Sequence, residues 1–508
     1  MKKILNFILH RLFIVIVLLL IQIAFIILLL TKFKFAMPYL YFAMELLGIF
    51  VLLKIINNKA NPNYKIAWII PVLTIPVFGM FFYFVFGIKP NEKKDIRANA
   101  VNKNLKENLV QSNKILKDLQ KENLDAYNQA NYLINNNFPI YNNTSAQYFK
   151  IGEEFYEQLI IELKKAKHFI FLEFFIISEG KMWNTILDIL KQKVSEGVDV
   201  RLIYDDVGCI VTLPKKYYQQ LNKYGIKAVS FNQFVPILTS KLNNRDHRKI
   251  VVIDGNVGFT GGINLADEYI NEKERFGHWK DNGIMIKGDA VWTFTVTFLT
   301  TWNYVSKTND DYDKFKPDYY GKTKIKNKSY IQPYDDSPID SETVGKNVYL
   351  NLINKAKKYI YITTPYLIID DEIENAIILA VKNGVEVKII TPGIADKKAV
   401  NEVTKAYYNN LIEKGVEIYE YEKGFIHAKT FLVDDLYAAV GTINLDYRSL
   451  YLHFECGVLI YNDKCIKDIK NDLIDTMEKS INIKIEDTKI SLFRALKRAI
   501  LKLFAPLM

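Results

Sequence analysis

Two stretches of this chain carry the same four side chains at the same spacing. His247, Lys249, Asp254 and Asn264 recur as His427, Lys429, Asp434 and Asn444, at offsets 0, 2, 7 and 17. A single His-x-Lys carries little weight, but two copies in register mark a shared site. Two histidines and two lysines brought together suit a phosphodiester. One neutral imidazole attacks phosphorus to give a covalent phosphohistidine. The other, as imidazolium, protonates the leaving alkoxide. The Lys249 and Lys429 ammonium groups and the Asn264 and Asn444 amides stabilise the equatorial oxygens as charge shifts in the transition state. The scheme needs no metal and no cofactor. No metal-ligand spacing stands out either, because Cys209, Cys456 and Cys465 form no Cys-x-x-Cys pair.

The elements that position these groups follow from the pattern around them. Ile250 to Ile253 and Thr430 to Val433 are apolar and β-branched, which predicts strands. Residues two apart on a strand share a face, so each His and its Lys point the same way. Asp254 and Asp434 lie five beyond the lysines and should face away, in a supporting role. The small pairs Gly261-Gly262 and Gly441-Thr442 let backbone come close, to a phosphate or to the other half.

The repeat extends beyond the motifs. Ala166-Lys167-His168-Phe169-Ile170-Phe171 matches Ala356-Lys357-Lys358-Tyr359-Ile360-Tyr361, and Gly197-Val198-Asp199-Val200 matches Gly384-Val385-Glu386-Val387. Each unit reads as a helix ending at glycine and then a buried strand. Two copies are too few for a solenoid. The pattern predicts an α/β fold of two similar sandwich halves sharing one pseudo-twofold site.

Ahead of the repeat lie three apolar runs. The first, 12–30, has Gln22 as its one polar side chain and reads as an uncleaved membrane anchor. The second, 36–53, is interrupted by Glu45, read as lying near a helix packing face. The third, 66–87, carries Pro71, Pro76 and Gly79 and either spans or forms a broken helix lying partly in the membrane. Positive residues flank every run and do not orient them. The net charge of +11 suits nucleic acid or an anionic membrane surface alike. The unpaired cysteines fit a reducing compartment. Residues 91–144 read as a helical linker. Near the end, 489–503 forms an amphipathic pattern, with Leu492, Leu496, Ile500 and Leu503 on one stripe and Arg494, Lys497, Arg498 and Lys502 beside it. That suits anionic lipid as well as docking on the protein.

The paired motifs resemble the HxKxxxxD segments of the phospholipase D superfamily. More narrowly, Arg245-Asp246-His247-Arg248-Lys249, Gly424-Phe425-Ile426-His427-Ala428-Lys429 and Asn444-Leu445-Asp446-Tyr447-Arg448-Ser449 resemble bacterial cardiolipin synthases, as does the stretch from Ala67-Trp68 to Gly87. Asp246 and His453 stand where that family often has Asn, which bears on substrate preference. The resemblance implies two phospholipase D-like halves, 145–325 and 326–486, after a multi-pass N-terminal anchor (1–90, two to three segments) and before a C-terminal helix (487–508). It implies transfer of a phosphatidyl group between phosphatidylglycerol molecules, with His247 as nucleophile, His427 as general acid, and an acidic partner orienting each histidine. Asp281 and Glu455 are the residues at comparable distances after the motifs. Glu173 and Tyr366 are candidates for lining the pocket or the core. His10, His168, His278 and His453 are read as structural. The expected partners are phosphatidylglycerol and anionic membrane lipid, with no nucleic acid, and the expected place is the cell membrane with the halves on the cytoplasmic side. A phosphatidylserine synthase or hydrolytic phospholipase D would use the same motifs with another acceptor. A nuclease of the superfamily, or a non-catalytic scaffold, fits the membrane runs or the intact motifs less well.

Overall fold

The structure, a computed structural model, describes residues 37–87, 103–233, 243–318, 320–321, 329–339 and 342–507, with positions 17, 20, 21, 23 and 24 of the first apolar run. The chain divides into two compact units. One comprises Met1–Asn91, Phe234–Asn243 and Lys502–Met508, the other Glu92–Gln233 and Asn244–Leu501.

The larger unit is built on two sheets that repeat one another. The strands in chain order are β1 (Thr144–Phe149), β2 (Phe169–Phe174), β3 (Asp199–Asp205), β4 (Lys227–Phe231), β5 (Lys249–Ile253), β6 (Val257–Gly261), β7 (His278–Lys280), β8 (Gly283–Gly288), β9 (Tyr330–Asp336), β10 (Tyr359–Thr363), β11 (Glu386–Pro392), β12 (Glu417–Tyr421), β13 (Gly424–Ile426), β14 (Thr430–Val433), β15 (Tyr437–Gly441), β16 (Glu455–Tyr461) and β17 (Ser480–Ile483). The first sheet runs β1-β8-β6-β5-β2-β3-β4. The second runs β9-β16-β15-β14-β10-β11-β12, the same sequence of equivalents, with β17 added at its edge. In each sheet three parallel strands (β2-β3-β4, β10-β11-β12) join an antiparallel group through β5 or β14.

Local sequence explains these elements. β2 and β10 are aromatic and β-branched and are buried along their whole length. The helix Gly152–Lys165 begins with Glu153 and Glu154 and ends with Lys164 and Lys165, signs that complement its dipole. The helix Val291–Ser306 is buried on nearly every side and packs on strands of the first sheet and on β9 of the second. Its threonines do not waste polar groups: Thr295 and Thr301 donate to carbonyls one turn back, at 3.0 and 3.2 Å. Across the centre, β6 and β8 lie against β15 and β16, so the halves share one core.

The turns after β5 and β14 place Asp254 and Asp434 in the left-handed region, at φ 51° and 55°, where Asp is tolerated better than most residues. The Asp254 carboxylate accepts the amides of Lys167, His168 and Phe169 at 2.7–2.9 Å. Asp434 accepts those of Lys357, Lys358 and Tyr359 in the same way, at 2.6–2.9 Å. Each aspartate staples its hairpin to the start of the neighbouring strand.

The smaller unit leaves the expectation of spanning helices without support among the described residues, and of the two readings of the third run it shows the broken helix. The second run forms one helix, Met37–Ile56, and Glu45 is exposed on it, off the packed stripe of Val51 and Ile55. The third run is broken. Pro62–Thr74 and Pro76–Phe82 are separate helices, followed by a turn of π-helix at Tyr83–Gly87. Pro76 offers no N–H and drives Ile75 out of helical geometry (φ −139°, ψ 73°). Gly79 then lies so close to Pro71 that a Cβ would stand 2.2 Å from its carbonyl oxygen. Trp68, Val72, Met80 and Tyr83 pack with Val51, Ile55 and Leu507. Among the described residues no helix is long and apolar enough to cross a membrane, so the multi-pass expectation has no support there. The first run falls largely outside the described residues, as does His10.

Near the C-terminus the amphipathic helix spans Leu492–Phe504. Arg494 and Arg498 both pair with Glu402, at 2.6 and 2.8 Å, so two of its four cations hold it to the helix Lys398–Glu413. Leu492, Phe493, Leu496 and Ile500 remain exposed.

Candidate active site

Each catalytic segment sits where the chain stops pairing with the other half and enters its own sheet. Asp246 makes a parallel bridge to Phe454, with the His247 amide donating to the Phe454 carbonyl at 2.9 Å. On the other side β13 pairs in parallel with β7, and the His427 amide donates to the Lys280 carbonyl at 2.7 Å. The residues that follow Phe454 and Lys280 are Glu455 and Asp281. This arrangement delivers each carboxylate to the histidine of the opposite half. His247 Nδ1 lies 2.9 Å from both oxygens of Glu455. His427 Nδ1 lies 2.7 Å from Asp281 Oδ2. With Nδ1–H committed to a carboxylate, Nε2 is the nitrogen left for chemistry.

The carboxylates are themselves held. Glu455 accepts hydrogen bonds from Ser449 Oγ (2.7 Å) and Thr442 Oγ1. Asp281 accepts the Asn282 amide at 2.8 Å. It fits only because residue 262 is glycine, since a Cβ there would stand 2.0 Å from Asp281 Oδ1. Neither contact is to a phosphate or to the other half, the roles expected for the small pairs: Gly262 makes room for Asp281 and Thr442 bonds Glu455, each the orienting acid of its own half.

Lys249 and Lys429 share the face of their histidines and are buried, each Nζ donating to the backbone carbonyl of its own His. Burial, only partly offset by Glu455, brings Lys249 down to about 8. Burial, partly offset by Asp281, brings Lys429 down to about 7. Burial, with Lys429 beside it, lowers His427 to about 4. Burial, with Lys249 and Lys429, holds His247 well below the ordinary range. Four basic groups confined together cannot all be charged. The site is therefore poised for an anion, whose charge would let Lys249, Lys429 and His427 take up protons.

Other expected residues fall differently. The Asn264 amide does not face an open site: it donates to the Tyr269 hydroxyl at 2.6 Å, and its carbonyl accepts the Ile176 amide at 3.0 Å. Asn444 is buried beside Asp446. Glu173 points to the opposite face of β2, where its Oε1 accepts from Arg248 at 3.1 Å. Arg248 also binds Asp335 at 2.9 Å, and Asp246 accepts from the Arg248 backbone at 3.4 Å. That buried charged cluster has no counterpart around the second motif, where Ala428 stands in place of Arg248, and through Asp335 on β9 it ties the first motif to the second sheet. Tyr366 bonds Asp396 at 2.6 Å, with its ring 6.5 Å from Phe425.

Four aromatic rings wall the histidines. Phe175 lies 5.0 Å from His247, while Tyr269, Trp279 and Phe425 lie 5.6, 5.6 and 5.8 Å from His427. The sequence reading missed them; it took His453 as structural, whereas the ring of His453 is 5.6 Å from His247. His453 stands two residues before Glu455, a spacing that signals a shared face. Arg448 donates to its Nε2 at 3.2 Å, and burial lowers it to about 3, so it is neutral. Among the described residues, His247, His453 and Glu455 are the one group with metal-ligand proximity, their ligand atoms lying within 4.8 Å of one another. Both Glu455 oxygens are already engaged by hydroxyl groups and by His247.

Two repeated α/β halves contributing crossed histidine–carboxylate pairs to one site define a protein of the phospholipase D class. The model of the cardiolipin synthase, phospholipase D-like domain matches residues 159–292 and 349–477, and that of the phospholipase D-nuclease N-terminal region matches 46–87. The chain belongs to the cardiolipin synthase family of phospholipase D-like proteins. It is 32% identical over 446 residues to a cardiolipin synthase of Halalkalibacterium halodurans, covering 86% of this chain and 87% of that one. It is 33% identical over 464 residues to cardiolipin synthase 2 of Bacillus anthracis, covering 89% and 88%. An uncharacterised protein of Streptococcus mutans is 44% identical over 469 residues, covering 90% and 99%. The fold is also that of a phosphatidylserine synthase from Haemophilus influenzae, with a TM-score of 0.55 at 17% identity over 72% of this chain and 93% of that one.

Proposed function

We propose that this enzyme is a cardiolipin synthase that joins two phosphatidylglycerol molecules and releases glycerol. The observation that carries this reading is the pair of crossed contacts, His247 with Glu455 and His427 with Asp281, in one buried basic site. His247 Nε2 attacks phosphorus. The bond to the glycerol oxygen breaks, and that oxygen takes the proton of His427 Nε2, leaving a phosphatidyl group on His247. The hydroxyl of a second phosphatidylglycerol gives its proton to His427 and attacks the same phosphorus, which frees His247 and yields cardiolipin. Glu455 and Asp281 orient the rings and stabilise the imidazolium forms. Lys249 and Lys429, recharged by the arriving phosphodiester, stabilise the equatorial oxygens. Asn444 is retained as a phosphate-side residue, whereas Asn264 acts through Tyr269.

The basic balance of the chain is read as a complement to anionic lipid rather than nucleic acid. The apolar N-terminal runs attach the enzyme to the cell membrane, and the halves lie on the cytoplasmic side, in keeping with three buried, unbridged cysteines. Purified enzyme in vesicles of phosphatidylglycerol should form cardiolipin and glycerol in equal amounts. Phosphatidic acid as the main product would make water the acceptor and overturn the synthase reading.

A further inference from the structure

The substrates of the proposed reaction carry acyl chains, and the larger unit shows where those chains leave the protein. β3 and β11 are equivalent parallel strands, one in each half. The loop after β3 exposes Ile210 (53%) and Val211 (89%) and ends in the exposed pair Lys215-Lys216. The loop after β11 exposes Ile394 (41%) and ends in the exposed pair Lys397-Lys398. The two loops differ in sequence and length, yet the first presents two exposed aliphatic side chains and the second one, each time followed by two lysines.

Both loops are tied to the catalytic walls. In the first, Thr212 Oγ1 donates to the Ile177 carbonyl at 2.6 Å, and Cys209 Sγ reaches the Phe175 carbonyl at 3.6 Å. Phe175 is the ring beside His247. In the second, Asp396 accepts from Tyr366, and Lys397 Nζ lies 5.6 Å from the Tyr366 ring centre. Tyr366 adjoins Phe425, the ring beside His427. The C-terminal helix joins the same region, because its anchor Glu402 lies one turn beyond Lys398, and it adds exposed Leu492, Phe493 and Leu496.

We propose that these two loops, with the C-terminal helix beside the second, form a docking surface that seats the mouth of the active site on an anionic lipid bilayer. Exposed aliphatic side chains enter the boundary between headgroups and acyl chains, and the lysine pairs meet the lipid phosphates. A water-facing loop gains nothing from Val211 at the tip, whereas a bilayer surface removes that side chain from water. The pairing of apolar tips with lysines favours lipid over a protein partner. A lipid would then reach His247 without its chains crossing water. The inference rests on the phosphatidyl-transfer reading for the identity of the lipid alone.

The test uses the full chain reconstituted in vesicles of equal parts phosphatidylglycerol and phosphatidylcholine. A bimane label is placed at Val211→Cys, at Ile394→Cys, and at Val110→Cys as an exposed control outside these elements. The native cysteines are buried and do not compete for the label. Labels at 211 and 394 should shift to the blue and be quenched by lipids brominated on their acyl chains, while the label at 110 stays in water. Labels at 211 and 394 that behave as the control overturn the proposal. In the Ile210→Ser, Val211→Ser, Ile394→Ser variant, the ratio of turnover on vesicles to turnover on short-chain monomeric phosphatidylglycerol should fall about tenfold or more. An unchanged ratio also overturns it. If wild-type protein makes no cardiolipin from either substrate while the labels still enter the acyl region, the activity reading fails and the docking surface stands.

Discussion

At the scale of single residues, the two histidines differ less in position than in the bond each must serve. An acid matters most when the leaving group is a poor one, such as the alkoxide of glycerol, and little when it is a nitrophenolate. His427→Ala should therefore lose about 100-fold or more of turnover on phosphatidylglycerol, yet release one burst of nitrophenol from phosphatidyl-nitrophenol and leave the phosphatidyl group on His247. His247→Ala should give no burst with either substrate. Peptide mass spectrometry decides, and an adduct on His427 in the His247→Ala protein would reverse the roles. The lysines make a second prediction. Lys429 and Lys249, at about 7 and about 8, are charged below those values and lose charge as pH rises through them. Affinity for an anionic phosphodiester falls with that charge, so kcat/KM should decline on the alkaline side of this window, well below the ordinary lysine range near ~10.4. An initial-rate profile that stays flat from pH 7 to pH 9 contradicts this. The histidines and lysines were legible because types and offsets repeat. The crossing of the acids was not, because a distance along the chain does not say which half a side chain will meet. The aromatic walls were hidden for the same reason: nothing in an isolated Phe175 or Trp279 distinguishes a site wall from core.

Secondary elements set what those residues can do. The alternation of a strand placed Asp254 and Asp434 on the face away from the histidines, and the structure gives each carboxylate three backbone amides. Asp434→Asn keeps a residue that tolerates the left-handed turn but replaces one acceptor oxygen with a donor. It should cost about 1–3 kcal/mol of stability and lower the thermal melting point while KM changes little. A variant that melts like wild type but has lost turnover would assign Asp434 to the chemistry instead. The equivalence of the sheets could be anticipated from the matching Gly-Val-Asp-Val and Gly-Val-Glu-Val segments. The break in the third apolar run does not show in hydropathy, which sees a continuous stretch, but in Pro71, Pro76 and Gly79, the residues that leave a broken helix open as a reading. Its cause is local: Pro76 ends one helix and Gly79 lets the next fold against Pro71.

At the scale of the whole molecule, the two halves make one catalyst. The site uses imidazole and ammonium groups where many phosphoryl-transfer enzymes use divalent ions. Activity on phosphatidylglycerol should therefore survive exhaustive chelation, measured on vesicles whose size is monitored. A loss restored by one divalent metal alone would mean that the His247, His453 and Glu455 group binds an ion during turnover. The fold class, the repeat and the shared site could be read from the sequence because duplication writes the motifs and the strands around them twice. The arrangement of the apolar N-terminal runs, present once, had no second copy to check it against.

The crossed contacts also bear on how such a protein can change over generations. His247 depends on Glu455, 208 positions away, and His427 on Asp281, 146 positions away. A tolerated alteration around one motif must be answered in the opposite half, not in the adjoining segment of its own. Lineages of this protein should accordingly show correlated drift between the neighbourhoods of residues 247 and 455, and between those of 427 and 281. Neither half can be inherited, exchanged or redesigned as an independent module.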